Sequence, residues 1–277
     1  MGKFDGYLLV SDFDGTLIND ERRISRENVQ AIESFVAQGG RFLGATGRTE
    51  INVRPFAAGI QLSSPWILYN GAAIFDWAKN AFIYRAPLDR ALSEAFARKA
   101  ITRFPDVNVQ IYPGGAFYWQ VNPNAAPDSI AVHEKQDYHD GTMEEITDDW
   151  LKLLFCSDDP AVVNGVEAML ADDRLLLHAH KTRSGPRYFE LTALGVNKGS
   201  ALARLRNLLK PRPRRVVAIG DYLNDVEMLI EADIAAAPES AIQEVRDQAQ
   251  IITADHNHSA IADLIDQLEK RCAVTAE

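Results

Sequence analysis

Apolar and polar positions alternate in two different styles along the chain. Tyr7-Leu8-Leu9-Val10-Ser11 is a compact apolar run that ends at Asp12 and the turn-forming Gly15, the pattern of a buried strand opening onto a loop. From Ser25, a favourable N-cap, Val29, Ile32, Phe35 and Val36 recur at helical spacing until Gly39 and Gly40 stop them. Residues 41–45 read as a second strand delivering Thr46-Gly47-Arg48, and 65–69 as a third delivering Asn70-Gly71. Strand and helix patterns in this order predict a parallel sheet wrapped by helices.

Between about Phe82 and Leu191 the regularity is lost. A helix-like run over 88–104 precedes a predicted antiparallel hairpin, 107–112 and 117–121, around Pro113-Gly114-Gly115. Strand, helix, strand and strand follow at 150–156, 162–170, 175–180 and 188–191. The parallel style resumes with a helix near Lys198, a strand over 216–219 running into Gly220-Asp221, and shorter strands at 234–237 and 251–252. The predicted fold is α/β, a Rossmann-like parallel-sheet core formed by residues 1–81 and 192–277, with an α+β domain inserted at 82–191.

Composition narrows what such a protein can do. A chain of 277 residues, 47% of them hydrophobic, supplies two cores. The net charge of −10 opposes binding to nucleic acid, because backbone affinity depends on clustered Lys and Arg. Cys156 and Cys272 match no metal or redox spacing and read as reduced thiols. Residues 1–6 lack an apolar signal core, and no apolar run is long enough to cross a bilayer. A cytoplasmic protein without membrane partners is expected, a monomer or weak homo-oligomer, since no long apolar stripe demands assembly.

Candidate chemistry collects at the predicted strand ends. Asp12-Phe13-Asp14-Gly15-Thr16 sets two carboxylates at i and i+2, which near-extended backbone turns to one side. Like charges so close bind a cation or force one carboxyl to keep its proton, although the segment alone also describes a solvated turn. Gly220-Asp221-Tyr222-Leu223-Asn224-Asp225 adds oxygen ligands suited to Mg²⁺. Thr46 and the Gly47 amide can donate to a phosphate, and Lys198 at a helix start brings a positive charge.

Taken in order, Asp12-Phe-Asp-Gly-Thr16, Thr46-Gly-Arg48, Lys198 and Gly220-Asp-Tyr-Leu-Asn-Asp225 resemble the four motifs of the haloacid dehalogenase superfamily. An insert between the second and third motifs, with Asn70-Gly71-Ala72 and Gly195-Val-Asn-Lys198-Gly, is similar to the Cof-type phosphatases, which carry a large α/β cap. The resemblance implies that Asp12 is the nucleophile forming an aspartyl phosphate and Asp14 the acid and base. It implies Mg²⁺ held by Asp12, the Asp14 main-chain carbonyl and Asp221, with Asp225 in support. Thr46, Gly47, Lys198 and Asn224 would bind phosphoryl oxygens, and Arg48 a further anionic group. The expected reaction is hydrolysis of small phosphorylated metabolites, sugar phosphates foremost. A phosphomutase using Asp12, or a non-catalytic sensor of a phosphometabolite, is the alternative.

Other features are not promoted to the site. His178 with His180, and His256 with His258, offer two imidazoles without a third ligand. Phe117, Tyr118 and Trp119 are expected to pack a small core. Arg183 and Arg187 remain candidates for a second anionic group without a motif behind them. Ala254-Asp-His-Asn-His258 departs from the acidic, glycine-containing stretch that relatives often carry there, which bears on peripheral contacts only.

Overall fold

A computed structural model describes residues 2–57, 59–60, 62, 64–115, 117–133 and 137–274. Strand β1 (Tyr7–Asp12), helix α1 (Arg26–Ala37), β2 (Arg41–Ala45), the short α2 (Glu50–Val53) and β3 (Trp66–Leu68) open the chain. A hairpin of β4 (Ala73–Asp76) and β5 (Ala81–Arg85) follows. The insert comprises α3 (Arg90–Arg103), β6 (Asn108–Tyr112), β7 (Tyr118–Gln120), α4 (Ser129–His133), β8 (Tyr138–Asp140), β9 (Lys152–Cys156), α5 (Pro160–Leu170), β10 (Ala179–Gly185) and β11 (Tyr188–Ala193). The last part holds α6 (Lys198–Leu208), β12 (Arg215–Ile219), α7 (Val226–Glu231), β13 (Ile234–Pro238), α8 (Gln243–Arg246), β14 (Ile251–Thr253) and α9 (Ala260–Val274).

Two sheets result, one of eight strands in the order β14-β13-β12-β1-β2-β3-β4-β5 and one of six in the order β10-β11-β9-β6-β7-β8. The large sheet is parallel from β14 to β3, and only its β4–β5 edge is antiparallel. Leu8, Leu9 and Val10 of β1 are fully buried, as a strand covered on both faces requires. Each contributes about 1.5–3 kcal/mol by burial. Ser25 caps α1 by accepting from the Asn28 amide at 3.1 Å.

Two expected boundaries move. β5 stays in the large sheet, so the expected start of the insert at 82 cuts through a strand, and the insert begins after Arg85. The cause is legible in its pattern: Ala81, Ile83 and Arg85 face solvent in this edge strand, so no buried apolar run marks it. β11 likewise runs to Ala193 and not 191. The strand expected over 175–180 is instead a 3-10 turn at Arg174–Leu177, with the Asp173 carboxylate accepting from the Leu175 amide, and β10 begins only at Ala179. Leu177 is exposed, so the leucine run there does not mark a buried strand.

In the six-stranded sheet, side-chain alternation separates two faces. Val109, Ile111, Leu153, Phe155, Phe189 and Leu191 pack with Phe96, Ala100, Val163 and Val166 of α3 and α5. Tyr112, Leu154, Cys156 and Tyr188 turn the other way and join the core of the large sheet. The insert therefore sits on the large sheet as a cap.

From β1 the chain winds towards β2 and β3, then returns after the cap to β12 on the opposite side of β1. The winding reverses between β1 and β12, and open α/β sheets bind ligands beyond the carboxyl ends of their strands at such a point. Asp12 ends β1 and Gly220-Asp221 follows β12. Two glycines let other elements close on this point. Gly71 has φ +99°, and a Cβ there would lie 2.1 Å from the Asn197 carbonyl oxygen at the head of α6. At Gly199 a Cβ would lie 2.3 Å from the Glu227 carbonyl oxygen in α7. Gly199→Ala is expected to force α6 from α7 and cost about 1–3 kcal/mol, read as a lowered thermal midpoint.

Candidate active site

Beyond β1 the backbone folds over itself, with the Leu17 and Ile18 amides donating to the Phe13 carbonyl at 3.1 and 2.9 Å. Phe13 is buried in the core while Asp12 and Asp14, its neighbours on either side, both line one cavity. Gly15, at φ +75°, allows this turn to approach Asp221, whose Oδ2 lies 2.6 Å from where a Cβ would stand. The Thr16 hydroxyl donates to Asp221 Oδ1 at 3.2 Å.

Lys198, the first residue of α6, is fully buried between two carboxylates. Its Nζ donates to Asp12 Oδ1 at 2.5 Å and to Asp225 Oδ1 at 2.7 Å. Asp225 Oδ2 accepts from the Asp221 and Tyr222 amides at 3.0 and 3.3 Å, which fixes the turn after β12. Burial and the nearby Asp225 charge push the Asp12 carboxyl up to about 7, against the pull of Lys198. Burial, with Asp12 and Asp225, also raises Asp221 well above the carboxylate range. Burial works against the Lys198 charge, but Asp12 and Asp225 outweigh it and hold the ammonium above the ordinary lysine value.

Asp12, Asp221 and Asp225 each offer an oxygen within 4.8 Å of the others, and this group could hold a metal ion. Asp12 Oδ2 is buried without a hydrogen-bond partner among the described residues. An orphaned carboxylate oxygen inside a crowd of negative charge fits a cation, and an all-oxygen donor set suits a hard one. The Asp14 carboxylate stands outside that group.

Asp14 instead faces two guanidiniums. Arg48 Nη2 and Nε donate to its two oxygens at 2.7 and 2.8 Å, and Arg22 Nη1 adds a third bond at 3.0 Å. Burial alone would raise the Asp14 carboxyl, but Arg48 and Arg22 hold it below its usual range. The Arg48 guanidinium also stacks 4.5 Å from the Phe56 ring centroid. Arg48, expected to take a further anionic group, thus holds the second catalytic candidate.

Thr46 and Gly47 follow β2 at the cavity wall. The Asn70 amide donates to the Thr46 carbonyl at 2.9 Å, and Asn224 Nδ2 donates to Asn70 Oδ1 at 3.1 Å. The structure therefore brings all nine expected residues, Asp12, Asp14, Thr46, Gly47, Arg48, Lys198, Asp221, Asn224 and Asp225, to one end of the large sheet. The cavity is about 350 Å³, enough for a small molecule.

Its other wall is the cap, through Tyr112, Asp128, Lys152, Leu154, Ser184, Tyr188 and Glu190, none of which was expected. A single charge in an otherwise apolar strand, Lys152 in Lys-Leu-Leu-Phe-Cys156 and Glu190 in Tyr-Phe-Glu-Leu-Thr192, is the signal that marks two of them. Arg183 is committed to Glu167 and Asn164, both at 2.8 Å, and does not line the cavity. Arg187 pairs with Asp158 and stands 3.9 Å from Asp128. His178 ends a 3-10 turn while His180 belongs to β10, where burial lowers its pKa and Glu227 lies 3.6 Å away. His256 engages Asp20 and Ser240, and His258 engages Asp255. Tyr118 is buried and stacked between Tyr112 and Tyr138, as a packing role requires.

The family profile of the haloacid dehalogenase-like hydrolases matches residues 9–265. A 5-amino-6-(5-phospho-D-ribitylamino)uracil phosphatase of Bacillus subtilis is 32% identical over 261 residues, covering 93% of this chain and 94% of that protein. An Escherichia coli protein of the same name is 26% identical over 269 residues, covering 95% and 96%. The crystal structure of a haloacid dehalogenase-like hydrolase from Bacteroides thetaiotaomicron superposes with a TM-score of 0.82 at 26% identity, covering 96% of this chain and 99% of that one.

Lys198→Met should leave Asp12 and Asp225 buried without their counter-ion. The expected cost is about 3–5 kcal/mol in chelator, measured by denaturant unfolding, with part of it restored by a divalent cation.

Proposed function

The chain belongs to the haloacid dehalogenase-like hydrolases and is a phosphatase, and from that premise we propose that it hydrolyses small phosphorylated metabolites through Asp12, with Mg²⁺ as its metal. The observation that carries this reading is a buried strand-end carboxylate, Asp12, held by Lys198 at 2.5 Å beside an orphaned oxygen and opposite Asp14 in one cavity. Asp12 attacks the phosphoryl group, so that a P–O bond to its carboxylate forms as the ester P–O bond breaks. The leaving oxygen takes its proton from Asp14. In the second step Asp14 takes a proton from water, which attacks phosphorus and releases Asp12.

Arg48 and Arg22 tune that exchange. As they stand they keep Asp14 ionised, the form needed to activate water. An arriving phosphate competes for the same guanidiniums and weakens their hold, which lets Asp14 take up the proton required first. Thr46, Gly47, Asn224 and Lys198 bind phosphoryl oxygens, a task of positioning and charge stabilisation. Asp12, the Asp14 main-chain carbonyl and Asp221 would hold Mg²⁺, with Asp225 supporting through Lys198 and the Asp221 amide. The ion would supply Lewis-acid neutralisation of the phosphoryl charge.

Sugar phosphates are the leading substrate class. The cavity suits a small molecule, and the two named relatives act, by name, on a compound with a phosphorylated ribityl chain. No described helix is long and apolar enough to cross a membrane.

The deciding experiment measures phosphate release from sugar phosphates, nucleotides and phosphorylated cofactors, with Mg²⁺ and with chelator. Wild type should release phosphate only with the metal, and Asp12→Asn should lose at least about 10³-fold in kcat while still folded and unfolding cooperatively above the assay temperature. Substantial residual turnover in Asp12→Asn would rule out the covalent route. A second expected outcome concerns Arg48→Met, which should let the Asp14 pKa rise and move the acidic limb of the kcat profile to higher pH. The sign follows from the lost guanidinium, since a carboxylate without its counter-ion ionises later as pH increases.

A further inference from the structure

Two lysines among the described residues are buried to 3% exposure or less, Lys198 and Lys152, and only the first has a place in the mechanism above. Lys152 extends from β9 of the cap and pairs with Glu190 of the adjacent β11 at 2.7 Å, both side chains at most 3% exposed. It then reaches out of the cap, donating to the Gly47 carbonyl oxygen of the large sheet's second motif at 2.8 Å. The Tyr112 ring, 4.2 Å from Nζ, covers the ammonium. Glu190 crosses the same boundary, accepting from Asn70 Nδ2 at 3.0 Å and from the Ser184 hydroxyl. Asn70 in turn fixes the Thr46 carbonyl through its amide and Asn224 through its side chain.

Burying both charges costs several kcal/mol per ion, and an apolar pair of similar size is often no less stable. Stability is therefore a poor reason for this pair. What it does is tie two cap strands to both ends of the Thr46–Gly47 turn, to Gly47 through Lys152 and to Thr46 through Glu190 and Asn70.

We propose that Lys152 and Glu190 are positioning residues for phosphoryl transfer: seated together, they set the Thr46–Gly47 turn and Asn224 for the phosphoryl oxygens, so that the phosphate site is complete only when the cap is docked. The proposal rests on the phosphatase reading. It makes the cap a part of the phosphate site and not only a wall for the leaving group. A loss of cap register would then weaken binding of phosphate itself, even with nothing attached to it.

The test compares wild type, Lys152→Met, Glu190→Gln and the double variant Lys152→Met/Glu190→Met. Affinity for inorganic phosphate in Mg²⁺ is measured by calorimetry, with kcat/KM on the best substrate and the thermal midpoint alongside. The double variant is expected to melt at or above the wild-type midpoint, since an apolar pair replaces an ion pair. It should nevertheless bind phosphate at least about tenfold more weakly and lose about 10²-fold in kcat/KM, as misplaced binding groups do. Glu190→Gln, which keeps an acceptor for Asn70, should be impaired less than Lys152→Met. A double variant that binds phosphate like wild type and turns over normally overturns the proposal while leaving the phosphatase reading intact. A wild type that releases no phosphate from any ester overturns both.

Discussion

A lysine ammonium sealed between two aspartates is the interaction on which the site depends. Lys198 touches Asp12 and Asp225, and through Asp225 it governs the turn that carries Asp221. Without a cation at that position, three carboxylates at the end of a buried sheet would repel one another and hold protons still more tightly than burial already makes Asp12 and Asp221 do. With it, the cluster stays compact and short of positive charge by a margin that a divalent ion can fill. The orphaned oxygen of Asp12 is the visible sign of that shortfall.

Placing Lys198 there is a matter of backbone approach. Its helix begins against Gly71 on one side and uses Gly199 to meet α7 on the other, distances that admit no side chain. The residues that do chemistry are thus supported by residues that do none. Reversal of the winding between β1 and β12 supplies the gap into which these parts converge, a property of connection order and not of any one side chain.

That division explains what could be read from the sequence. Asp12, Asp14, Thr46, Lys198 and Asp221 were legible because each follows or opens a strongly patterned element, so a short motif fixes both residue type and location. The alternating core was legible for the same reason, as its buried strands are short apolar runs. The edge strand β5 was not, because a strand with alternate side chains exposed carries no such run. The cap wall was obscured differently. Lys152 and Glu190 come from segments 38 residues apart and meet through the pairing of β9 with β11, while Asp128 joins them from the loop before α4, where it accepts from the Tyr188 hydroxyl at 3.0 Å. The partner of Arg48 was not foreseen, since its reach to Asp14 follows from a side-chain conformation stacked on Phe56.

The alternation of the cap strands has one more implication. In β6, β9 and β11 the odd-numbered Val109, Ile111, Leu153, Phe155, Phe189 and Leu191 pack beneath α3 and α5, while the even-numbered Tyr112, Lys152, Leu154, Tyr188 and Glu190 line the cavity. Parity along these strands therefore separates two kinds of evolutionary freedom. Substitutions at cavity-lining even positions other than Lys152 and Glu190 leave the cap's own core alone, and substitutions at the packed odd positions change that core without lining the cavity. A scaffold partitioned in this way can diversify its clientele without first having to relearn how to fold.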